Sequence, residues 1–230
     1  MQIIDVELLR QVLPELELSA DAAERMELYA QRLLETNAHM NLTAITEPRG
    51  VTLKHFADSL SLLFVHEFPQ SARVLDLGTG GGFPGVPLLF ARPDLRVTFL
   101  DSTRKKLTFI ERTLAEIYAQ NNDGALFATP AQPRFIHARA EDAGKRGNPE
   151  YGAYDVVTAR AVAALPALCG YALPFLRKGG TFLAMKGSAA RDEAAGAEAA
   201  LRKLGGKITD CVRISLPEDC GERWVIAIAV

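Results

Sequence analysis

Nowhere does the chain run for about 18 apolar residues, and it shows no leader pattern of basic, apolar and small residues. The expectation is a cytoplasmic protein with no membrane partner. Cysteine is scarce: Cys169, Cys211 and Cys220 are odd in number and lack C-x-x-C spacing. That excludes a disulfide scaffold and a cysteine-built zinc site, and no metal is expected. Net charge is almost missing, at −2, so the chain as a whole does not read as a strong nucleic-acid binder. Repeats and low-complexity tracts are lacking too. What remains is an ordinary globular composition, 48% hydrophobic and 23% charged over 230 residues, which suffices for a full core.

The small net charge hides an uneven distribution. Residues 1–70 hold 5 Lys/Arg against 11 Asp/Glu, whereas residues 71–230 hold 21 against 17. A basic face can therefore exist on the second part. The pattern of elements divides at the same place. Residues 1–70 read as an N-terminal helical extension. Ser19 suits an N-cap, and Ala22, Met26, Tyr29 and Leu33 recur at helical spacing. A second helix is predicted from about Val51, with Leu53, Phe56, Leu60 and Leu63 on one face, and residues 37–50 connect the two. In that second helix Lys54 and Asp58 stand four apart, as a surface ion pair or as part of a site, with His55 between them.

From Arg73 onward strands and helices alternate, which predicts a doubly wound α/β domain over residues 71–230. Val74–Leu77 reads as a short buried strand, a glycine turn follows, and Val86 begins a helix. Two patterns overlap in the turn. Gly80, Gly82 and Gly85 fit the dinucleotide fingerprint G-x-G-x-x-G; Asp76, Gly78, Gly80 and Gly82 fit the Asp-x-Gly-x-Gly-x-Gly of S-adenosylmethionine-dependent methyltransferases. The second is preferred, because Gly78 directly follows the strand and the third position counted from it is Phe83. A carboxylate at Asp76 also suits a cationic ammonium group better than a pyrophosphate.

The next strand, residues 96–101, ends in Asp101, placed to accept hydrogen bonds from ribose hydroxyls, with Ser102 as the expected N-cap of a helix over 103–120. Further strands are predicted at 134–138, 154–159 and 181–185, and helices at 163–176 and 191–204. Residues 208–216 and 223–230 form a closing β-hairpin. That ending suits a methyltransferase better than a nicotinamide domain. The loop at 121–133 has no assignable role. Arg104, Lys105 and Lys106, cations at a helix start where the macrodipole disfavours them, read as a solvated basic face, with a phosphate-facing role as the alternative.

Asp76, Gly78, Asp101, Ala140, Glu141, Arg160 and Lys186 all fall at carboxyl ends of strands, where open α/β sheets bind ligands. Ala140 or Glu141 could meet an adenine. After the fourth strand stands Thr158-Ala-Arg-Ala161, not the Asn/Asp-Pro-Pro-Tyr/Phe of amine methylation. Cys169 is too deep in the following helix to serve as a nucleophile. With no evident general base, an acceptor that needs none fits, and guanine N7 already presents a lone pair. That nitrogen becomes cationic as it is methylated. Arg160 and Lys186 therefore belong on phosphate, on guanine O6 or on the methionine carboxylate.

Together, Asn41-Leu-Thr-Ala44, Lys54-His-Phe-Ala-Asp-Ser-Leu60, Val74 to Gly85, Asp101-Ser-Thr-Arg-Lys-Lys106, Ala159-Arg-Ala161, Met185-Lys-Gly187 and Gly221-Glu-Arg223 resemble the ribosomal RNA small-subunit methyltransferase G family, also called glucose-inhibited division protein B. The resemblance runs in order over nearly the whole chain. It implies a Rossmann-like class I fold and a monomer. The implied activity is methylation of N7 of one guanine, conventionally numbered 527, in 16S rRNA or the 30S subunit, with S-adenosylhomocysteine as the product. The cofactor set is then Asp76, Gly78, Gly80, Phe83, Asp101, Ser102, Thr103, Ala140, Glu141 and Arg160. His55, Asp58, Arg160 and Lys186 are the candidates for positioning or RNA contact. Ala229 stands where the family pattern has a lysine. A small-molecule methyltransferase and a catalytically silent RNA-binding module on the same fold are the competing expectations, and a nicotinamide dehydrogenase is the weakest.

Overall fold

The computed structural model describes residues 2–120, 132–217 and 220–230. Most of the 121–133 loop singled out above lies outside them. Five strands alternate with helices, as the hydrophobic pattern requires. They are β1 (Arg73–Leu77), β2 (Arg96–Asp101), β3 (Arg134–His137), β4 (Tyr154–Arg160) and β5 (Leu176–Lys186). All five run parallel, and β6 (Lys207–Ile214) and β7 (Arg223–Ala229) add an antiparallel hairpin. The sheet order is β3-β2-β1-β4-β5-β7-β6. Its direction of growth reverses between β1 and β4, so the carboxyl ends of those two strands open a crevice.

Strands β1 and β2 are buried at every position except the first, because helices cover both faces of the sheet. On one face, α2 (Ala20–Met40), α6 (Gly85–Ala91) and α7 (Arg104–Gln120) share a core with Val74, Val97 and Phe99. On the other, α9 (Leu165–Ala172) and α10 (Ala190–Leu204) pack on Leu75, Val157 and Phe182. The helices of residues 1–70, which include a short α1 (Val6–Val12), thus contribute directly to the sheet's own core. Among the described residues no helix is long and apolar enough to cross a membrane.

Ser19 caps α2 by accepting from Ala22 N at 3.1 Å, as its sequence position predicts. Tyr29, fully buried on that helix, meets Phe83, Phe90 and Phe109 and donates its hydroxyl to Gly81 O at 2.9 Å. The helical extension is thereby pinned to the glycine turn.

The predicted helix from Val51 departs from the expected register. Pro48–Val51 (α3) runs into a π-helical turn at Thr52–Ala57, then Asp58–Leu60 (α4) and Leu62–Val65 (α5). Leu53, Phe56 and Leu60 are buried as expected, but Leu62 replaces Leu63 on the inner face. Two serines interfere with the ladder here: Ser59 Oγ donates to His55 O and Ser61 Oγ to Asp58 O, each at 2.6 Å. A wide turn carries an extra residue, so a stripe counted at 3.6 residues per turn misses its end.

Smaller corrections follow the same logic. Ser102 is not the N-cap position, because α7 begins at Arg104; the Asp101 carboxylate accepts Thr103 N at 2.7 Å and holds the chain non-helical for one more residue. The helix expected over 163–176 is α9 followed by a 3₁₀ turn at Leu173–Phe175, with a proline near the start of each. Gly179 and Gly180 lie inside β5, in an irregularity between the Tyr154–Leu176 and Val156–Thr181 pairs.

Candidate functional site

At Gly78, Gly80 and Gly82 the turn after β1 needs positive φ, with values of 70°, 58° and 93°. At Gly82 there is a second reason: a Cβ there would lie 2.4 Å from the Tyr29 hydroxyl. At Gly78 the bare Cα faces the crevice, where a Cβ would meet Val162 Cγ2 at 2.7 Å. Asp76 ties this turn together from within through one of its two oxygens, Oδ2, while Oδ1 is buried without a hydrogen-bond partner among the described residues. Its carboxylate is fully buried, and Oδ2 accepts from Thr79 Oγ1 at 2.6 Å and Gly85 N at 3.0 Å. It lines neither of the clefts beside the turn. Burial pushes its pKa up to about 6, while the bonds from Thr79 and Gly85 pull the other way. Oδ2 thus joins the two ends of the glycine turn.

Two clefts meet beyond the carboxyl ends of the strands. The smaller, of about 300 Å³, is lined by Gly78, Asp101, Ser102, Thr103, Ala140 and Glu141 among others. These six expected ligand residues, scattered over more than sixty positions of sequence, are brought together here. Asp101 is held by Gly80 N at 3.0 Å on Oδ2 and by Thr103 N on Oδ1. Each oxygen keeps a second lone pair, which two ribose hydroxyls can use. Ala140 and Glu141 open the short α8 (Ala140–Ala143), so their N–H groups take no partner within that helix. The carboxylate, free amides and glycine-lined floor fit the adenosine half of S-adenosylmethionine. Gly80 supplies its amide to Asp101 without lining the cleft, so it acts one step behind.

The larger cleft, of about 690 Å³, is lined by Lys54, His55, Asp58, Arg160, Lys186 and Arg223 among others. Arg160, on the last residue of β4, is its centre. Nη1 donates to Lys54 O at 2.8 Å and Asp58 Oδ2 at 3.2 Å, and Nη2 lies 3.1 Å from His55 Nδ1. The expected Lys54–Asp58 pair is not formed. Asp58 is only 3% exposed, and a carboxylate so buried takes the guanidinium of Arg160, with Arg223 Nε 3.8 Å away. Lys186 donates to Ala163 O at 2.6 Å and pairs with Glu193 at 2.7 Å, so its charge is already balanced within the chain. Phe83 lines neither cleft, contrary to its expected role as a pocket wall. It is the platform beneath the larger one: His55 stacks on its ring at 4.5 Å, and the Arg160 guanidinium sits 5.2 Å from its centre.

Ala161 and Val162 line both clefts and divide them. Ala161 has φ of 56°, a strained value for a residue with a Cβ. No periodicity signals that conformation, and the pattern of β4 ends just before it. Glu193 is a second residue that pattern reading missed; on α10 it looks like any exposed acid.

In the larger cleft His55, Asp58 and Glu193 each already face a cation of the chain. Burial first, then the charge of Arg160, lowers the His55 pKa to about 3, with a hydrogen bond to the Lys54 backbone opposing them. The ring is neutral at physiological pH, and its Nδ1 lone pair faces a cation. Burial raises the Asp58 pKa against the opposing pull of Arg160 and Arg223. Among the described residues no group of three or more His, Cys, Asp or Glu side chains could hold a metal ion.

Known proteins resemble the chain in sequence and in fold. Residues 22–218 match the family model for rRNA small subunit methyltransferase G. A protein of Desulfitobacterium hafniense (strain Y51) named ribosomal RNA small subunit methyltransferase G is 44% identical over 214 residues, covering 93% of this chain and 83% of that one. A protein of the same name from Staphylococcus haemolyticus (strain JCSC1435) is 41% identical over 213 residues, with 93% and 83% covered. Among solved structures, a Corynebacterium glutamicum protein aligns with a TM-score of 0.54 at 17% identity, over 98% of this chain and 97% of that one. A S-adenosylmethionine-dependent O-methyltransferase of Thermotoga maritima aligns with a TM-score of 0.51 at 14% identity, over 86% and 71%. At these identities the structural matches speak to the Rossmann-like class I fold alone.

Proposed function

The chain belongs to the rRNA small subunit methyltransferase G family, and on that premise we propose that it methylates N7 of the guanine at position 527 of bacterial 16S rRNA. The smaller cleft holds the adenosine of S-adenosylmethionine through Gly78, Asp101, Ser102, Thr103, Ala140 and Glu141. The larger cleft receives the guanine. The observation that carries the choice of N7 is the state of the groups in that cleft: His55 is neutral with its lone pair committed to Arg160, and Asp58 is paired. An acceptor nitrogen that had to lose a proton would find each of these, and Glu193 beside Lys186, already partnered. Guanine N7 loses none.

The bound S-adenosylmethionine supplies an activated methyl on a sulfonium. The chain's part is to place that carbon and the N7 lone pair in line and to exclude water. Arg160 does not oppose the positive charge that develops on guanine, because Asp58 balances it and Phe83 faces it. Its remaining N–H groups, with the third proton of Lys186, suit guanine O6 or a neighbouring phosphate. His55 and Asp58 act as positioning residues for Arg160.

Purified protein incubated with methyl-labelled S-adenosylmethionine and either 30S subunits or protein-free 16S rRNA tests this. Label at N7 of a single guanine is the expected result, and comparison of the two substrates shows which form is used. Label at another atom, or none in either RNA despite binding of S-adenosylmethionine, overturns it.

A further inference from the structure

The connection between α2 and α3 carries Asn41-Leu-Thr-Ala44, which neither cleft explains. Its Thr43 is fixed from three sides. Thr43 N donates to Asn37 Oδ1 at 2.8 Å, Ile45 N donates to Thr43 Oγ1 at 2.9 Å, and His55 Nε2 lies 2.7 Å from the same Oγ1. On the opposite edge of the imidazole, Nδ1 lies 3.1 Å from Arg160 Nη2.

A guanidinium has donors only, so the nitrogen facing it must present a lone pair. The ring proton of neutral His55 therefore sits on Nε2 and is donated to Thr43 Oγ1. The hydroxyl's two lone pairs are then both used, by His55 and by Ile45. Stacking on Phe83 fixes the plane of the ring, so the tautomer is what remains to be set.

We propose that Thr43 is a positioning residue for methyl transfer: it keeps the His55 proton on Nε2, and so keeps Nδ1 an acceptor that aligns the Arg160 guanidinium. Without the hydroxyl, a buried N–H loses its acceptor. The proton then moves to Nδ1, where it meets an N–H of Arg160 head-on. Arg160 retains Lys54 O and Asp58 but loses the third point that orients its plane.

The inference rests on the rRNA-methylation reading for its kinetic arm; its spectroscopic arm needs no RNA. The full chain is labelled with ¹⁵N-histidine, and the His55 ring signals are assigned by their loss in H55Q. Wild type and T43S should show a proton on Nε2 and a bare Nδ1. T43V should show the proton on Nδ1 or exchanging between the two, and kcat/KM for rRNA methylation should fall roughly 10- to 100-fold. T43S should recover most of that loss, and T43V/H55Q should be no slower than H55Q alone. T43A, which leaves space instead of adding a methyl, serves if T43V folds too weakly. An unchanged tautomer, or a wild-type rate in a folded T43V or T43A, overturns the inference, as does a T43S variant no better than T43V. A wild type that methylates no rRNA would overturn the functional reading and with it the role in transfer, while the tautomer comparison would still decide whether Thr43 governs His55.

Discussion

His55 shows how little a residue's identity says about its charge. As a free side chain it would titrate near 6.5; on the wall of the cleft it is held at about 3. Its folded pKa lies below its unfolded one, so the unfolded chain binds the proton more readily. Its contribution to stability is therefore full above pH 6.5 and lost as pH falls toward 3. Asp76 works in the opposite sense. With a folded pKa near 6 against 3.8, it costs stability above pH 6 and returns it as pH falls to 3.8. The H55Q variant separates the two. Below pH 6.5 the stability gap between wild type and H55Q should shift in favour of the variant by about 1.4 kcal/mol per pH unit. Urea titrations at pH 7, 6 and 5 measure it, and a gap independent of pH would mean that His55 is protonated alike in both states. None of this could be read from the sequence, where His55, Asp58 and Arg160 are more than a hundred residues apart at the extremes and only their motif positions hint at a shared place. Asp76 was legible as the acid of the turn, but not as one facing inward, because the pattern Asp-x-Gly-x-Gly-x-Gly is the same for either direction.

Elements were more legible than their junctions. The parallel strands and the closing hairpin follow from runs of apolar residues bounded by glycine and charge, and burial on both faces leaves such runs little choice. The π-helical turn at Thr52–Ala57 was not legible, since the bonds that surround it, from Ser59 and Ser61 back to the helix and from an Arg160 that arrives from β4, leave no periodic signal in the sequence. Likewise, the partnership of α2 with the glycine turn is a tertiary fact. Gly82 looks like part of a ligand-binding fingerprint, yet its missing side chain makes room for Tyr29. Replacing Gly82 by alanine should therefore destabilise the fold even without ligand. A contact of 2.4 Å and a φ of 93° together exceed ordinary strain, and a loss of about 2–4 kcal/mol is expected. Denaturation of the ligand-free variant measures it. A Gly82→Ala protein as stable as wild type, with only S-adenosylmethionine binding impaired, would show that the fingerprint reading alone is sufficient.

For the whole molecule, the distribution of charge sets how RNA can be held. The acidic balance of residues 1–70 and the basic balance of residues 71–230 meet at the larger cleft, where Lys54 comes from the first part and Arg160, Lys186 and Arg223 from the second. Asp58 and Glu193 offset part of that positive charge within the protein. Such a cleft can neutralise only a few phosphates, unlike a continuous basic groove. Counterion release then gives a shallow salt dependence: with two or three phosphate contacts to single-stranded RNA, affinity should fall only about tenfold between 50 and 200 mM salt. S-adenosylmethionine, which in the proposed site would be held through Asp101, backbone amides and the bare glycine floor, should bind almost equally at both concentrations. Fluorescence titration with an rRNA-loop oligonucleotide and calorimetric titration with S-adenosylmethionine give the two slopes. A loss of RNA affinity of a thousandfold would place the RNA backbone on a larger basic surface than this cleft provides, with the exposed Arg104 and Lys105 at the start of α7 the first residues to neutralise. A slope near zero would instead mean that the base alone anchors the substrate, through its stacking and its O6, and that the cations of the cleft serve only one another.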